Sequence, residues 1–446
     1  MKKIVKLFAF FYFTLINCQS IVTFENNVFY FNGQPFFPIG WYECNSFQEM
    51  NKIKNYGGNT VLVLWEFLIQ ENGGEYTPSG YLSVLNSYLQ YANSIGLKVV
   101  VQLPFKKQFS DAQDSANAIT DNLFINTIVP EIKNNSALLG WYIADEPEMV
   151  NNWKTEPYSK LQYWYQLIKS IDPNHPIFVC VCNGYILENQ TVRPVGPQNP
   201  ENPFSHDRFF DVLMIDIYAS FKSEPSLYRL DWFDQYAMSL FDAFQLYGDS
   251  LLPAMSSILV AQGFIDSKMR APTIDELKYE LVSCLMYSQI GWWDRSKNLG
   301  GMFFWRYGAS NDTCKNNVTE VVKYFIGNSF DKIIQQQNIN FNLINDPDYP
   351  NVFSFIRFWN NSYYLFVINR SDAVAAPSIS IEINDYTICK ELTIPFGSYV
   401  IKKLIPEGDL VILRDRLLPR DAKIYRIFTE WPIELNIKIF LQGVYR

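Results

Sequence analysis

Acidic residues stand beside aromatic ones at several short, strand-like runs of this chain: Trp41-Tyr42-Glu43, Trp65-Glu66, Asp216-Ile217-Tyr218 and Trp305-Arg306-Tyr307. The densest case is Trp141-Tyr142-Ile143-Ala144-Asp145-Glu146-Pro147-Glu148, where an apolar run ends in three acids. Aromatic faces cover the C–H surfaces of a pyranose while carboxylates and amides take its hydroxyls, so such a set suits sugar recognition. Cleaving a glycosidic bond needs one carboxylic acid to protonate the leaving oxygen and a second carboxylate to act on the anomeric carbon or on water. Glu146 is the candidate acid/base, because Asp145 or a dry aromatic wall beside it would raise its pKa. Asp145 is a second catalytic candidate or a hydrogen-bonding residue inside the fold, and Glu148 reads as solvated. Trp41, Glu43, Trp65, Glu66, Asp216, Tyr218, Gln262, Trp305 and Arg306 are the candidate substrate contacts.

These residues need a frame that brings the ends of distant segments together. Eight apolar, β-rich runs recur along the chain: Phe36–Trp41, Thr60–Trp65, Lys98–Leu103, Leu139–Ile143, Ile177–Cys182, Val212–Tyr218, Ala254–Ala261 and Gly301–Trp305. Their continuous apolarity is that of parallel strands buried on both faces. Helical stretches fill the intervals. Leu82, Leu85, Leu89 and Ala92 follow helical spacing before Gly96, Thr273 and Glu276 form a capping-box pattern, and 158–170 and 227–247 are further helices. Eight alternations predict an α/β fold, a closed (β/α)8 TIM barrel, whose chemistry sits at the C-terminal strand ends. An open doubly wound sheet is the alternative, but no Gly-rich phosphate loop follows the first run. Beyond Gln335 helical periodicity gives way to short strands broken by Asn, Gly and Pro, among them 353–358, 363–369, 378–383, 399–403, 410–413 and 423–428. The expected organisation is a signal peptide over 1–20, the barrel over 21–335 and a C-terminal antiparallel β-sandwich domain over 336–446.

Phe31-Asn32-Gly33-Gln34-Pro35-Phe36-Phe37-Pro38-Ile39-Gly40-Trp41-Tyr42 resembles the entry strand of the cellulase/β-galactosidase clan of barrel glycoside hydrolases. Gly57-Gly58-Asn59-Thr60-Val61 resembles the clan's second strand entry, and Leu139 to Glu148 its fourth strand with the acid/base glutamate at Glu146. Phe210 to Tyr218 and Gly301 to Tyr307 fit strands six and eight. The likeness covers roughly 28–310 and implies a glycosidase acting on a β-linked oligo- or polysaccharide. Two positions depart from the clan. Asp145 stands where its Asn precedes the acid/base, and Gln262 stands where its glutamate nucleophile ends strand seven. An amide cannot be that nucleophile. Asp216, Glu43 and Glu66 remain as sources of a second carboxylate, for either a retaining or an inverting enzyme. The alternative is a sugar-binding protein on the same barrel that has lost hydrolysis.

The N-terminus carries Lys2, Lys3 and Lys6, then the apolar run Leu7 to Ile16, then Cys18 and Ser20 at the spacing of a cleavage site. That run is too short to span a bilayer, which needs about 20 residues, so the chain is expected to be secreted or delivered to an endolysosomal lumen. Without the first 20 residues, 34 basic groups face 45 acidic ones, a balance unsuited to nucleic acid. The partner expected is a carbohydrate. No cofactor is indicated, and neither a His-Glu-x-x-His nor an EF-hand pattern calls for a metal. Six cysteines remain in the mature chain, too scattered for a disulfide scaffold, and read as buried thiols. Asn134, Asn189, Asn311, Asn317, Asn360 and Asn369 head sequons and are candidate glycan sites. His175, in Asp172-Pro173-Asn174-His175-Pro176, reads as a polar turn residue.

Overall fold

The computed structural model describes residues 20–25, 28–103, 114–145, 156–182, 209–220, 222, 230, 234, 256–287, 300–308, 310–334, 348–382, 387–407, 410–429 and 439–440. The signal-peptide segment before Ser20, the expected boundary at 335, the sequon at Asn189 and nearly all of the helix expected at 227–247 lie outside them.

The elements begin with β1 (Val22–Glu25), β2 (Val28–Phe31), β3 (Gln34–Phe36), β4 (Ile39–Tyr42), α1 (Phe47–Asn55), β5 (Thr60–Val63), α2 (Trp65–Asn72) and α3 (Pro78–Ser94). They continue with β6 (Lys98–Gln102), α4 (Asp114–Ile132), β7 (Leu138–Asp145), α5 (Glu156–Ile171), β8 (Ile177–Cys182), β9 (Val212–Ile217), β10 (Ser256–Gln262), α6 (Ile274–Tyr287), β11 (Gly301–Trp305), α7 (Asp312–Gly327) and α8 (Phe330–Ile333). Nine further strands follow: β12 (Val352–Trp359), β13 (Ser362–Asn369), β14 (Ser378–Glu382), β15 (Thr387–Thr393), β16 (Ser398–Lys402), β17 (Leu404–Glu407), β18 (Leu410–Arg414), β19 (Ala422–Thr429) and β20 (Ile439–Phe440).

Strands β4 to β11 pair in parallel, each with its neighbours in sequence, and β11 returns to β4 to close the barrel. The eight apolar runs of the sequence are thus the eight barrel strands. Two layers explain why these runs lack alternation. One set of side chains, including Tyr42, Leu62, Val100, Tyr142, Phe178, Met214, Val260 and Phe303, fills the lumen. The other, including Trp41, Val61, Val63, Val99, Trp141 and Phe304, packs outward against the helices. Close contact between strands fixes Gly40, where any Cβ would lie 1.7 Å from the Thr60 carbonyl oxygen. The helices carry the expected local signals. Thr273 and Glu276 form the capping box of α6, with Thr273 N donating to Glu276 Oε2 at 2.8 Å and Glu276 N to Thr273 Oγ1 at 3.2 Å.

Three features were not expected. The first barrel strand begins only at Ile39, because Gln34–Phe36 instead ends a three-stranded antiparallel sheet of β1, β2 and β3. Phe29 of that sheet stacks on Phe178, with ring centroids 6.1 Å apart, and joins the lumen core. The second barrel strand stops at Val63, and Trp65 opens α2 rather than ending the strand. His175 is not a solvated turn residue. It is fully buried, with Nδ1 2.8 Å from Asp172 Oδ2, which also accepts from Trp141 Nε1 at 2.9 Å. Burial alone would raise the Asp172 pKa, but the hydrogen bonds from His175 and Trp141 outweigh it and hold the carboxyl below its usual range.

The C-terminal strands form a five-stranded sheet, β12-β13-β19-β15-β16, and a four-stranded one, β17-β18-β14-β20, both antiparallel. Val352, Leu365, Val367, Ile379, Leu413, Tyr425 and Ile427 form the core between them. The other face of the larger sheet, with Phe355, Tyr364, Phe366 and Ile424, joins the core of the barrel's helical layer, and Phe330 packs edge-on against Tyr364 and Phe366. The described cysteines Cys44, Cys180, Cys284, Cys314 and Cys389 are buried free thiols. Among the sequons, Asn134 and Asn360 are exposed, whereas Asn369 is fully buried and its amide nitrogen donates to the Ala373 and Leu418 carbonyls. A glycan cannot be carried at Asn369 in the folded chain. No helix among the described residues is long and apolar enough to cross a membrane.

A buried polar knot joins the two units. Asp234, helical and fully buried on the barrel side, accepts from Tyr279 and Ser283 of α6 and from Arg420 Nη1 at 2.9 Å, with Arg370 Nε 3.4 Å away. Arg420 and Arg370 belong to the sandwich. Replacing Asp234 by Ala removes the buried carboxylate that both guanidinium groups face, leaving Arg420 its pair with the exposed Asp372, at an expected cost of about 3 kcal/mol, read from the urea unfolding midpoint. On α6, Glu280 is fully buried and neither carboxylate oxygen has a hydrogen-bond partner. Burial raises its pKa well above the usual range, with Glu276 adding to the shift and Arg270 opposing it. A raised carboxyl pKa favours folding in acid, and that contribution is lost as pH rises through the folded value. Glu280→Met is therefore expected to stabilise the protein by about 1–3 kcal/mol at pH 8, with the gain shrinking toward pH 4 in thermal melts.

Candidate active site

The lumen opens at the C-terminal ends of the strands, and its described acids come from β7 and β9. In β9, Val212 and Met214 face the lumen, so alternation carries Asp216 inward as well. Asp216 is only 4% exposed. In β7 the register against β8 shifts between Tyr142 and Ala144. Ile143 is the extra residue and packs outward, Ala144 follows it, and Asp145 is thereby turned to the inner face. The result is a cluster in which donor atoms of Asp145, Cys180 and Asp216 all lie within 4.8 Å of one another. β7 and β9 are the fourth and sixth barrel strands, and alternate strands of an eight-stranded barrel contribute to the same inward layer. That is why these two acids meet although 70 residues separate them in sequence.

Two phenols floor this layer. The Tyr142 hydroxyl donates to Asp145 Oδ1 at 2.7 Å. Tyr42 meets Tyr142 edge-on at 5.7 Å and Trp305 at 5.0 Å. Burial, with Cys180, Asp216 and Asp145 nearby, pushes the Tyr42 hydroxyl well above its ordinary pKa, and burial beside Asp145 does the same for Tyr142. Both phenols therefore stay neutral, Tyr142 donating to Asp145 and Tyr42 to Met214 Sδ at 3.4 Å. Two carboxylates and a thiol at this spacing also form a possible donor set for a divalent cation.

On the other side of the mouth, Glu43 follows β4 in the left-handed backbone region, at φ 55°, and is 4% exposed. A non-glycine residue held there is conformationally costly. Arg306 Nε lies 3.0 Å from Glu43 Oε2, and the guanidinium sits 5.8 Å over the Phe67 ring and 5.9 Å over Trp305. Burial raises the Glu43 pKa and Arg306 opposes that rise. Trp305 is part-exposed and packs against the lumen core, as expected of a face that a sugar can cover. Tyr218 is also part-exposed, edge-on to Phe264 at 5.1 Å.

Other candidates lie away from this layer. Trp41 is fully buried in the outward layer, against Phe304 and Tyr307, because its neighbour Tyr42 takes the inward position. Trp65 is buried among Tyr76, Tyr81 and Phe124, and Glu66 is exposed on the first turn of α2. Gln262 has no exposed surface. Its Oε1 accepts from Ser220 N at 3.1 Å, and its Nε2 donates to the Phe264 and Arg270 carbonyls at 3.0 and 2.7 Å. It ties the chain after β9 to the loop after β10. Glu146 lies outside the described residues. Tyr42, Tyr142, Cys180 and Phe67 belong to the mouth but were not among the candidates from sequence. Strict alternation from Asp216 back through Met214, extended to the other strands, is the signal that could have selected Cys180.

No protein-family model matches the chain, and no curated protein matches it by sequence. Solved structures nevertheless share its (β/α)8-barrel fold. A Bacteroides vulgatus structure described as a glycoside hydrolase aligns with a TM-score of 0.53 and 12% identity, over 93% of this chain and 83% of its own. A glycoside hydrolase family 30 xylanase from Clostridium acetobutylicum aligns with a TM-score of 0.47 and 12% identity, over 93% and 98% of the two chains. An exo-β-1,4-mannosidase from an Opitutaceae bacterium aligns with a TM-score of 0.47 and 18% identity, over 71% and 62%. At 12% identity the likeness to the Bacteroides vulgatus structure shows the fold alone.

The Glu43–Arg306 pair supplies its own test. Arg306→Met removes the cation that opposes the burial-driven rise of the Glu43 pKa, so Glu43 should hold its proton to a higher pH than in the wild type. Carbon-13 NMR titration of the Glu43 carboxyl reads the change, and an unaltered titration would show that the ion pair does not act on it.

Proposed function

We propose that this chain is a secreted glycoside hydrolase that cleaves a β-linked oligo- or polysaccharide by carboxylate acid/base catalysis. The observation that carries the reading is the convergence of Asp145 and Asp216 at a barrel mouth lined by Tyr42, Tyr142 and Trp305. Glycoside cleavage requires an acid and a second carboxylate at one place, and the ends of the fourth and sixth strands bring acidic residues together there. The aromatic faces supply a surface for the sugar ring. In this reading Glu146, the residue after Asp145, is the acid/base, and Arg306, Glu43 and Tyr218 contact substrate around the rim. Gln262 acts through the loops it ties together rather than by touching substrate. The exposed sequons Asn134 and Asn360 accord with export.

A second reading has one observation in its favour. Gln262, at the end of the seventh strand, offers no carboxylate, and its amide is taken up by backbone groups. A barrel that binds sugars without hydrolysing them would tolerate this. Purified protein assayed on plant, fungal and bacterial glycans, beside Glu146→Gln, separates the two. The hydrolase reading expects sugar release by the wild type and a fall of about 100-fold to 10,000-fold in the variant. Binding without turnover by either protein would establish the second reading.

A further inference from the structure

The hydrolase reading leaves one role unassigned, the carboxylate that acts on the anomeric carbon, and β10 cannot fill it with the amide of Gln262. We infer that Asp216, on the sixth barrel strand, is the nucleophile of this site; the inference rests on the hydrolase reading above. Glu43 and Glu66, the other two candidates for that carboxylate, are otherwise placed. Glu43 is held against Arg306 at 3.0 Å, and Glu66 is exposed on α2. Asp216 faces the lumen, 4% exposed, with a carboxylate oxygen within 4.8 Å of one from Asp145. A nucleophile at this position makes the enzyme a retaining one, because each of the two displacements at the anomeric carbon inverts it.

Burial separates the roles. An acid/base exchanges its proton with water in every turnover, which suits the end of the fourth strand, where Asp145 is part-exposed. A nucleophile needs only to meet the sugar, which suits the deeper Asp216. In the first step an Asp216 oxygen bonds to the anomeric carbon, the bond to the leaving oxygen breaks, and that oxygen takes the proton of the acid/base. In the second step the acid/base removes a proton from water, the water oxygen bonds to the anomeric carbon, and the Asp216 ester bond breaks. One water is consumed and both carboxyl groups return to their starting states.

The experiment begins with the wild type and a panel of 2,4-dinitrophenyl glycosides, followed by the 2-deoxy-2-fluoro analogue of whichever sugar is hydrolysed. Mass spectrometry of the digested protein is expected to place the trapped sugar on Asp216, and proton NMR of the first product to show retained configuration. Asp216→Gly should lose at least about a thousand-fold in turnover. Azide should restore activity to it and yield the glycosyl azide of inverted configuration. A trapped sugar on any other residue, or an inverted first product, overturns the assignment while leaving the hydrolase reading intact. A wild type inert on the whole panel overturns both.

Discussion

Barrel closure is the constraint on which this site depends. Eight parallel strands with a continuous hydrogen-bonded circuit admit only one inward layer per pair of residues, and alternate strands share it. The β7 bulge at Ile143 acts within that constraint. By adding one residue to the strand it exchanges which side chains face the lumen, so that Asp145 and not Ala144 meets Asp216. The neutral phenols of Tyr42 and Tyr142 then close the floor beneath the two acids, and their burial is what keeps them protonated.

The same closure explains what the sequence disclosed and what it hid. Runs such as 212–215 and 301–304 were readable as barrel strands because both of their faces are buried, which removes polar interruptions. That property also erased the alternation that would have told inward from outward residues. Trp41 and Trp65 stood beside acids and looked like sugar platforms, yet both point into the helical layer while Tyr42 and Leu64 take the lumen. The bulge in β7 carries no compositional mark at all. Strand β15 was hidden for a different reason. Its Lys390 and Glu391 interrupt the apolar pattern, and Glu391 is satisfied by Lys402 at 2.7 Å and Lys423 at 3.6 Å, across the neighbouring strands.

The sandwich is bound into the same core as the barrel's helices. One face of its larger sheet supplies Phe355, Tyr364 and Phe366 to that layer, and Arg420 and Arg370 converge on Asp234 beside α6. Helix α6 also carries Glu276, which pairs with Arg270, whose carbonyl accepts from Gln262. A continuous set of contacts thus runs from the sandwich through α6 to the end of the seventh barrel strand. Gln262 is an anchor in that set. In the proposed reading the chemistry falls to the fourth and sixth strands.

The most direct measurement is a crystal structure of the protein with a thio-linked oligosaccharide analogue of a glycan from which it releases sugar. The account predicts a sugar ring over Trp305 with its anomeric carbon about 3–3.5 Å from an Asp216 oxygen, on the side of the lumen shared with Asp145. A sugar bound elsewhere on the barrel or along the sandwich, with Asp145 and Asp216 remote from every anomeric carbon, would contradict it.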